Sequence, residues 1–334
     1  RRHDVSKNKY GVTIKAIEYH LPKTYEDNDM LSIDNPEWRM DDIFNKTGIN
    51  RRWISDENET SVDLAYIAAK KIIDKFGVNK IDTLIYVTQS PEYFLPSSSC
   101  ILQDRLSLSS NIKAFDINLG CSGYVYGLSM ASAYIESGLS ENVLLVCSDT
   151  YTKYISSDDR VNRPIFSDGA SATLISKSES KSIGNFSFGT DGSGFDKLIV
   201  KDGAAKSNFK NSGMRPSLHM NGAEVFMFTM STVPDNVEKV LTESLNTVNE
   251  IDYFFFHQAS KIVLENLRRK LKLPKEKVYS CIEEIGNTVS SSIPIALKIA
   301  SDSKLLKNHD RLLLSGFGVG LSWGSCILEW DDLL

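Results

Sequence analysis

At 334 residues, with 41% apolar and 24% charged side chains, the chain can bury two packed layers of core or two domains sharing one extensive interface. A formal net charge of -5 lacks the basic excess expected of a nucleic-acid binder, so an acidic partner would have to meet a local basic patch. No apolar run approaches the ~20 residues of a membrane helix, so no membrane association is expected.

The first residues, Arg1-Arg-His-Asp-Val-Ser-Lys7, are charged where a secretory signal would be apolar, and the chain begins without Met. Residues 61–75 read as a helix, 84–87 as a buried strand, 97–106 as a helix and 114–117 as a strand. After the turn Asp116-Ile-Asn-Leu-Gly-Cys-Ser-Gly123, a helix is predicted over 123–137 and an apolar strand over 143–146. Residues 184–217, rich in Gly, Ser, Lys and Asn, read as hairpins and loops. A helix over 221–245, a strand over 253–256, a helix over 260–271 and a strand over 311–314 follow. Such alternation predicts an α/β protein with mainly parallel sheets. Five scattered cysteines with no CxxC pair point away from a metal site or disulfide framework and towards a reducing, cytoplasmic setting.

The order of elements repeats. Ile81-Asp82 opens a strand, a helix follows, and the chain reaches Gly120-Cys121; Ile251-Asp252 opens the same series, which reaches Gly286-Asn287. Two related halves would bring Cys121 and Asn287 to equivalent helix N-termini across a pseudo-dyad. A chance order of α/β elements is the other reading.

Cys121 lies where a strand ends and a helix begins. Unpaired N–H groups and the helix dipole there would favour thiolate and stabilise an oxyanion. A small buried cysteine, as expected for Cys147 and Cys281, is the plainer alternative. His257 in Tyr253-Phe-Phe-Phe-His-Gln-Ala-Ser260 follows an apolar strand, where α/β sheets carry their ligand sites, although a satisfied core histidine would also fit. Asn287 in Glu284-Ile-Gly-Asn-Thr-Val-Ser-Ser-Ser-Ile-Pro294 is either a helix cap or a neutral amide donor beside the imidazole. Ser315-Gly-Phe-Gly-Val-Gly-Leu-Ser-Trp-Gly324 is glycine-dense without phosphate-loop spacing, and its glycines are expected to press backbone against the site.

In combination these motifs resemble the beta-ketoacyl-acyl-carrier-protein synthase III family of the thiolase superfamily. Further landmarks, in order, are Lys46-Thr-Gly-Ile49 with Arg51-Arg52, Leu95-Pro-Ser-Ser-Ser-Cys100, Phe166-Ser-Asp-Gly-Ala170 and Gly222-Ala-Glu-Val-Phe226. The resemblance implies a thiolase fold, in which two similar αβαβα halves, residues 1–180 and 181–334, form a five-layered structure, in a homodimer. It implies a catalytic triad of Cys121, His257 and Asn287, with no cofactor beyond the substrates. Cys121 would take an acyl group from acyl-CoA. Malonyl-carrier protein would then lose carbon dioxide and condense to a 3-ketoacyl product, as in fatty acid biosynthesis. Backbone N–H groups of Cys121 and of the Gly318–Val319 turn would form the oxyanion hole.

With the same resemblance, Arg160 matches a CoA-adenine contact, and Gly222, Phe226, Ala259 and Ser260 match the pantetheine tunnel. Trp38 stands nearest to the family's adenine-stacking tryptophan, though further upstream of Gly48 than usual. Lys261, Arg269 and Lys270 match a basic patch for an acidic acyl carrier protein; a solvated helix face is the alternative. Ser260, Met227 and Leu95 depart from the residues usual in the family, which points to a specialised paralogue. Competing functions are an acyltransferase passing the Cys-bound acyl group to an alcohol or amine, a degradative thiolase, and a binding module without catalysis. A thiolase needs a second catalytic cysteine, and Cys326 stands outside the glycine-rich segment. A binding module would be expected to have lost a triad residue, and none is missing.

Overall fold

The computed structural model describes residues 11–180, 182–206 and 215–334. The charged start of the chain, and part of the segment expected to form hairpins and loops, lie outside them. The first half contributes β1 (Gly11–His20), β2 (Thr24–Asp27), α1 (Asn28–Asp34), α2 (Met40–Thr47), β3 (Arg51–Ile54), α3 (Ser61–Phe76), β4 (Thr83–Val87), α4 (Ser98–Arg105), β5 (Lys113–Ile117), α5 (Gly123–Glu136), β6 (Asn142–Asp149) and β7 (Gly169–Ser178). The second contributes β8 (Ile183–Thr190), β9 (Leu198–Val200), β10 (Leu218–Met220), α6 (Gly222–Glu243), β11 (Tyr253–Phe256), α7 (Lys261–Lys270), α8 (Ile282–Ile285), α9 (Ser292–Asp302), β12 (Arg311–Gly318) and β13 (Ser322–Glu329).

Each half builds one large sheet, in the orders β1-β7-β6-β4-β5 and β8-β13-β12-β11. The orders superpose, and the position of β5 is taken in the second half by a single parallel bridge between Phe254 and Val278. The sheets are mixed rather than mainly parallel. β4 pairs in parallel with β5 and β6, and β11 with β12, but β7, β1, β13 and β8 all add antiparallel. A short connection such as the β12–β13 turn can join only antiparallel neighbours.

Strand alternation explains the layering. In β6, Val143, Leu145 and Cys147 face a cluster shared with Val125 and Leu128 of α5 and Ile293 and Leu297 of α9. Leu144 and Val146 face the opposite way, onto Ala65, Ala68 and Ile72 of α3. In the second sheet, Phe255, Leu312 and Leu314 join the central cluster, while Phe254, Phe256 and Leu313 pack on Val237 of α6 and Leu267 of α7. The stack is helices, sheet, the α5/α9 pair, sheet, helices: five layers with the thiolase arrangement. Helix α3 starts at a reciprocal cap, in which Thr60 Oγ1 accepts the Asp63 N–H at 3.2 Å and the Asp63 carboxylate accepts the Thr60 N–H at 2.9 Å. Because α5 and α9 share the central cluster, the turns that precede them meet, and a Cβ on Gly120 would stand 3.3 Å from the Val289 side chain.

Candidate active site

Cys121 follows β5 and precedes α5 by two residues, in a turn closed by the Gly123 N–H on the Gly120 carbonyl at 2.8 Å. Only 5% of it is exposed, and that part opens into a cavity of about 750 Å³. His257, just beyond β11, and Asn287, in the turn before α9, line the same cavity. The three side chains, distant in sequence, therefore share one chamber.

The β12–β13 hairpin closes the chamber behind the nucleophile. A Cβ on Gly316 would stand 2.7 Å from the Cys121 carbonyl oxygen, and one on Gly318 would stand 3.1 Å from its Sγ. Only glycine lets this strand approach so closely. The glycine-dense segment is thus mostly strand, not loop, with residues 319–321 as its turn.

Electrostatics correct one expectation. Burial, reinforced by the charge of Asp149, pushes the Cys121 thiol up to about 12, and the N–H of Cys121 opposes this only partly. The resting nucleophile is a thiol. For His257, burial pulls the imidazole down to about 3, so the ring is neutral. Its Nδ1 lies 2.7 Å from Ser292 Oγ, and that oxygen accepts the Gln258 N–H at 3.3 Å. The Ser292 hydroxyl can still donate its own proton to Nδ1, an arrangement that suits a ring carrying its proton on Nε2. Phe317 meets the ring edge-on, with centroids 5.6 Å apart.

Asn287 is held by its backbone and by its side chain. Its N–H donates to Ile165 O at 3.1 Å, and its carbonyl accepts from Ser167 N at 2.9 Å. Its Oδ1 accepts the Val289 N–H at 2.9 Å, and Nδ2 lies 3.5 Å from Ala259 O. The residue is not the cap of α9, because a short 3₁₀ turn, Val289–Ser291, intervenes. Its amide dipole is fixed, and the Nδ2 group, with one proton directed to Ala259 O, has a second for another acceptor. Two neutral donors lining one cavity with a thiol can polarise a carbonyl or hold an enolate oxygen without a titratable base.

Arg160, Gly222, Phe226, Ala259, Ser260 and Gly318 also line the cavity. Val319 does not; it packs against the apolar cluster that contains Cys121. Trp38 departs from expectation: it is 7% exposed, lies off the cavity wall, and precedes α2. The end of α2 brings Ile43, Lys46 and Thr47 to the cavity instead. Lys261, Arg269 and Lys270 are exposed on α7 outside the cavity, with Lys270 Nζ 2.6 Å from Met230 O and Arg269 Nε 3.8 Å from Glu265. Ser292 was not singled out from sequence; its only signal was the serine run after Asn287. All five cysteines are free, with Cys147 buried and Cys281 half-buried.

Residues 115–192 match the family described as 3-oxoacyl-[acyl-carrier-protein (ACP)] synthase III, and residues 241–330 match its C-terminal family. A beta-ketoacyl-[acyl-carrier-protein] synthase III of Clostridium novyi (strain NT) is 35% identical over 96% of this chain and 100% of its own. A crystal structure of a 3-oxoacyl-(acyl-carrier-protein) synthase III superposes with a TM-score of 0.93 at 40% identity, covering 96% of this chain and 100% of that one. A 3-oxoacyl-(acyl-carrier protein) synthase from Burkholderia xenovorans LB400 gives 0.91 at 34% identity, over 97% and 95% of the two chains. On both sequence and architecture, the chain belongs to the 3-oxoacyl-[acyl-carrier-protein] synthase III family of condensing enzymes.

Proposed function

We propose that the chain makes 3-ketoacyl-carrier protein in two half-reactions, using Cys121 as the acyl carrier. In the first, Cys121 Sγ attacks the thioester carbonyl of an acyl-CoA. The sulfur–acyl bond forms, the CoA–acyl bond breaks, and the proton of the Cys121 thiol leaves on the CoA thiol. Backbone N–H groups of Cys121 and of the Gly318–Val319 turn receive the oxyanion.

In the second half-reaction, malonyl-carrier protein loses carbon dioxide to leave an enolate thioester. The Nε2–H of His257 and the Nδ2–H of Asn287 donate to its oxygen. The enolate carbon attacks the acyl-Cys121 carbonyl, the 3-ketoacyl product departs on the carrier protein, and the released Cys121 sulfur takes a proton from solvent. Splitting the condensation through a covalent thioester replaces one difficult step by two easier ones.

What carries this reading is the opening of Cys121, His257 and Asn287 onto one cavity whose two donors are both neutral. The cavity wall at Gly222, Phe226, Ala259 and Ser260 would take the pantetheine arm, with Arg160 and Lys46 at the nucleotide end. The exposed cations of α7, Lys261, Arg269 and Lys270, would receive an acidic carrier protein. Homodimer formation would use the exposed Tyr93, Phe94 and Leu95. The halves 1–180 and 181–334 would act as duplicated units that share the chamber.

Intact-mass measurement tests the scheme. Cys121→Ala is expected to gain no acyl mass from acyl-CoA. His257→Ala is expected to load normally yet release no carbon dioxide from malonyl-carrier protein. Carbon dioxide release also separates condensation from transfer to an alcohol or amine.

A further inference from the structure

Asp149 closes β6, is fully buried where the two halves meet, and is used by neither half-reaction. Its Oδ1 accepts from Thr88 Oγ1 at 3.1 Å, from the Gln89 N–H at 2.8 Å and from Ser90 Oγ at 2.8 Å. Its Oδ2 accepts from Ser290 Oγ at 3.3 Å, across the boundary between the halves. Among the described residues, the largest influences on its ionisation are burial and these neutral donors. Burying a carboxylate without a counterion is costly, and an asparagine could accept several of the same bonds at lower cost. Despite its donors, burial pushes the Asp149 carboxyl up to about 7.

Ser290 stands three residues after Asn287, and between them lies a strained backbone. Val289 adopts φ +58°, the left-handed region that a β-branched side chain rarely enters. This same residue supplies the N–H that fixes Asn287 Oδ1. Such a conformation persists only where its surroundings over-determine it, and it tends to mark a functional constraint. The surroundings are Ser290 on Asp149 and Ser291, whose Oγ donates to Cys147 O at 2.8 Å. On the nucleophile's side, the Asp149 cluster includes Gln89, whose side chain accepts the Tyr151 hydroxyl beside Gly120. One carboxylate thus touches the segment that supports Cys121 and the turn that carries Asn287.

We propose that Asp149 is a positioning residue for the condensation half-reaction, holding Asn287 in register with Cys121 through its bond to Ser290. The proposal rests on the enolate-binding role given to Asn287 above.

Ser290→Ala removes the cross-half bond and leaves the other three bonds of Asp149 in place. Acyl loading of Cys121, read by intact mass, is expected within twofold of wild type. The condensation kcat with malonyl-carrier protein is expected to fall about tenfold at unchanged KM, and Ser290→Thr is expected to recover most of it. Asp149→Asn, which also removes the charge that raises the Cys121 thiol, is expected to lower condensation without slowing loading. A merely structural role would lower loading and condensation together, and that result overturns the proposal. Asn287→Ala, assayed alongside, separates the two ideas. Condensation lost there but retained in Ser290→Ala overturns the brace alone. Normal condensation in Asn287→Ala overturns the role of Asn287 itself and the brace with it.

Discussion

Gly318→Ala tests whether the β12–β13 hairpin sets the position of the nucleophile. The added methyl would lie 2.9 Å from Cys121 Cβ and 3.1 Å from Sγ, where carbon contacts prefer ~3.5–4.0 Å. Gly318 has no positive φ, so its backbone suits alanine and the whole effect comes from space. The strand cannot easily retreat, because Gly318 pairs with Ser322 at the end of an unbroken ladder. Cys121 must therefore move by roughly 0.5–1 Å. Overpacking of this kind costs about 1–3 kcal/mol of stability. A misplacement of ~1 Å at a reacting atom costs up to about 100-fold in rate. The loading rate of Cys121, followed by time-resolved intact mass, is expected to fall ~10- to 100-fold. The melting temperature should drop by only a few degrees. Gly192→Ala, with nothing within 4 Å of its Cβ position, is the matched control and should change neither. A Gly318→Ala enzyme that loads at the wild-type rate would falsify the close approach of hairpin and thiol.

Acid should destabilise the fold through His257. Its folded pKa, about 3, lies below the ordinary imidazole value of about 6.5, so the unfolded chain binds the extra proton first. This contribution is complete above pH 6.5 and is lost as pH falls towards 3. By pH 5 about 2 kcal/mol of it has been lost, from about 1.36 kcal/mol per pH unit. Urea unfolding at pH 7 and pH 5 should show wild type losing about 2 kcal/mol relative to His257→Gln, because the raised Asp149 carboxyl, which adds stability as pH falls from 7, acts on both proteins alike; equal pH responses would refute a neutral buried ring. Reversing the α7 charges, as Lys261→Glu with Arg269→Glu, should raise KM for malonyl-carrier protein about tenfold and leave acyl-CoA loading unchanged. The difference should shrink in high salt, because exposed charges are screened within ~10 Å at 0.1 M. A salt-independent KM would place the carrier protein elsewhere.

Much of the molecule was legible in one dimension because its signals are local. Apolar runs of strand length marked β4, β5, β6, β11 and β12, and a helix followed each turn suspected of chemistry. The order of those elements carried the duplication, and the Cys121, His257 and Asn287 motifs carried the family. What escaped depends on through-space neighbours. Trp38 looked available for stacking, but in the turn before α2 it is buried and off the cavity wall. Ser292 looked like one of several small residues entering a helix, yet the packing of α9 against β11 puts its hydroxyl on His257.

The ionisation of Cys121 shows where that division falls. Its place between strand and helix was visible in the sequence, along with the partial charge that such a position supplies. How far the sulfur is removed from water depends on Gly316, Gly318 and Val289, which arrive from the other half of the chain. Desolvation of a charged group scales with what surrounds it in three dimensions and not with its own peptide, so only the tertiary structure decided that the resting group is a thiol.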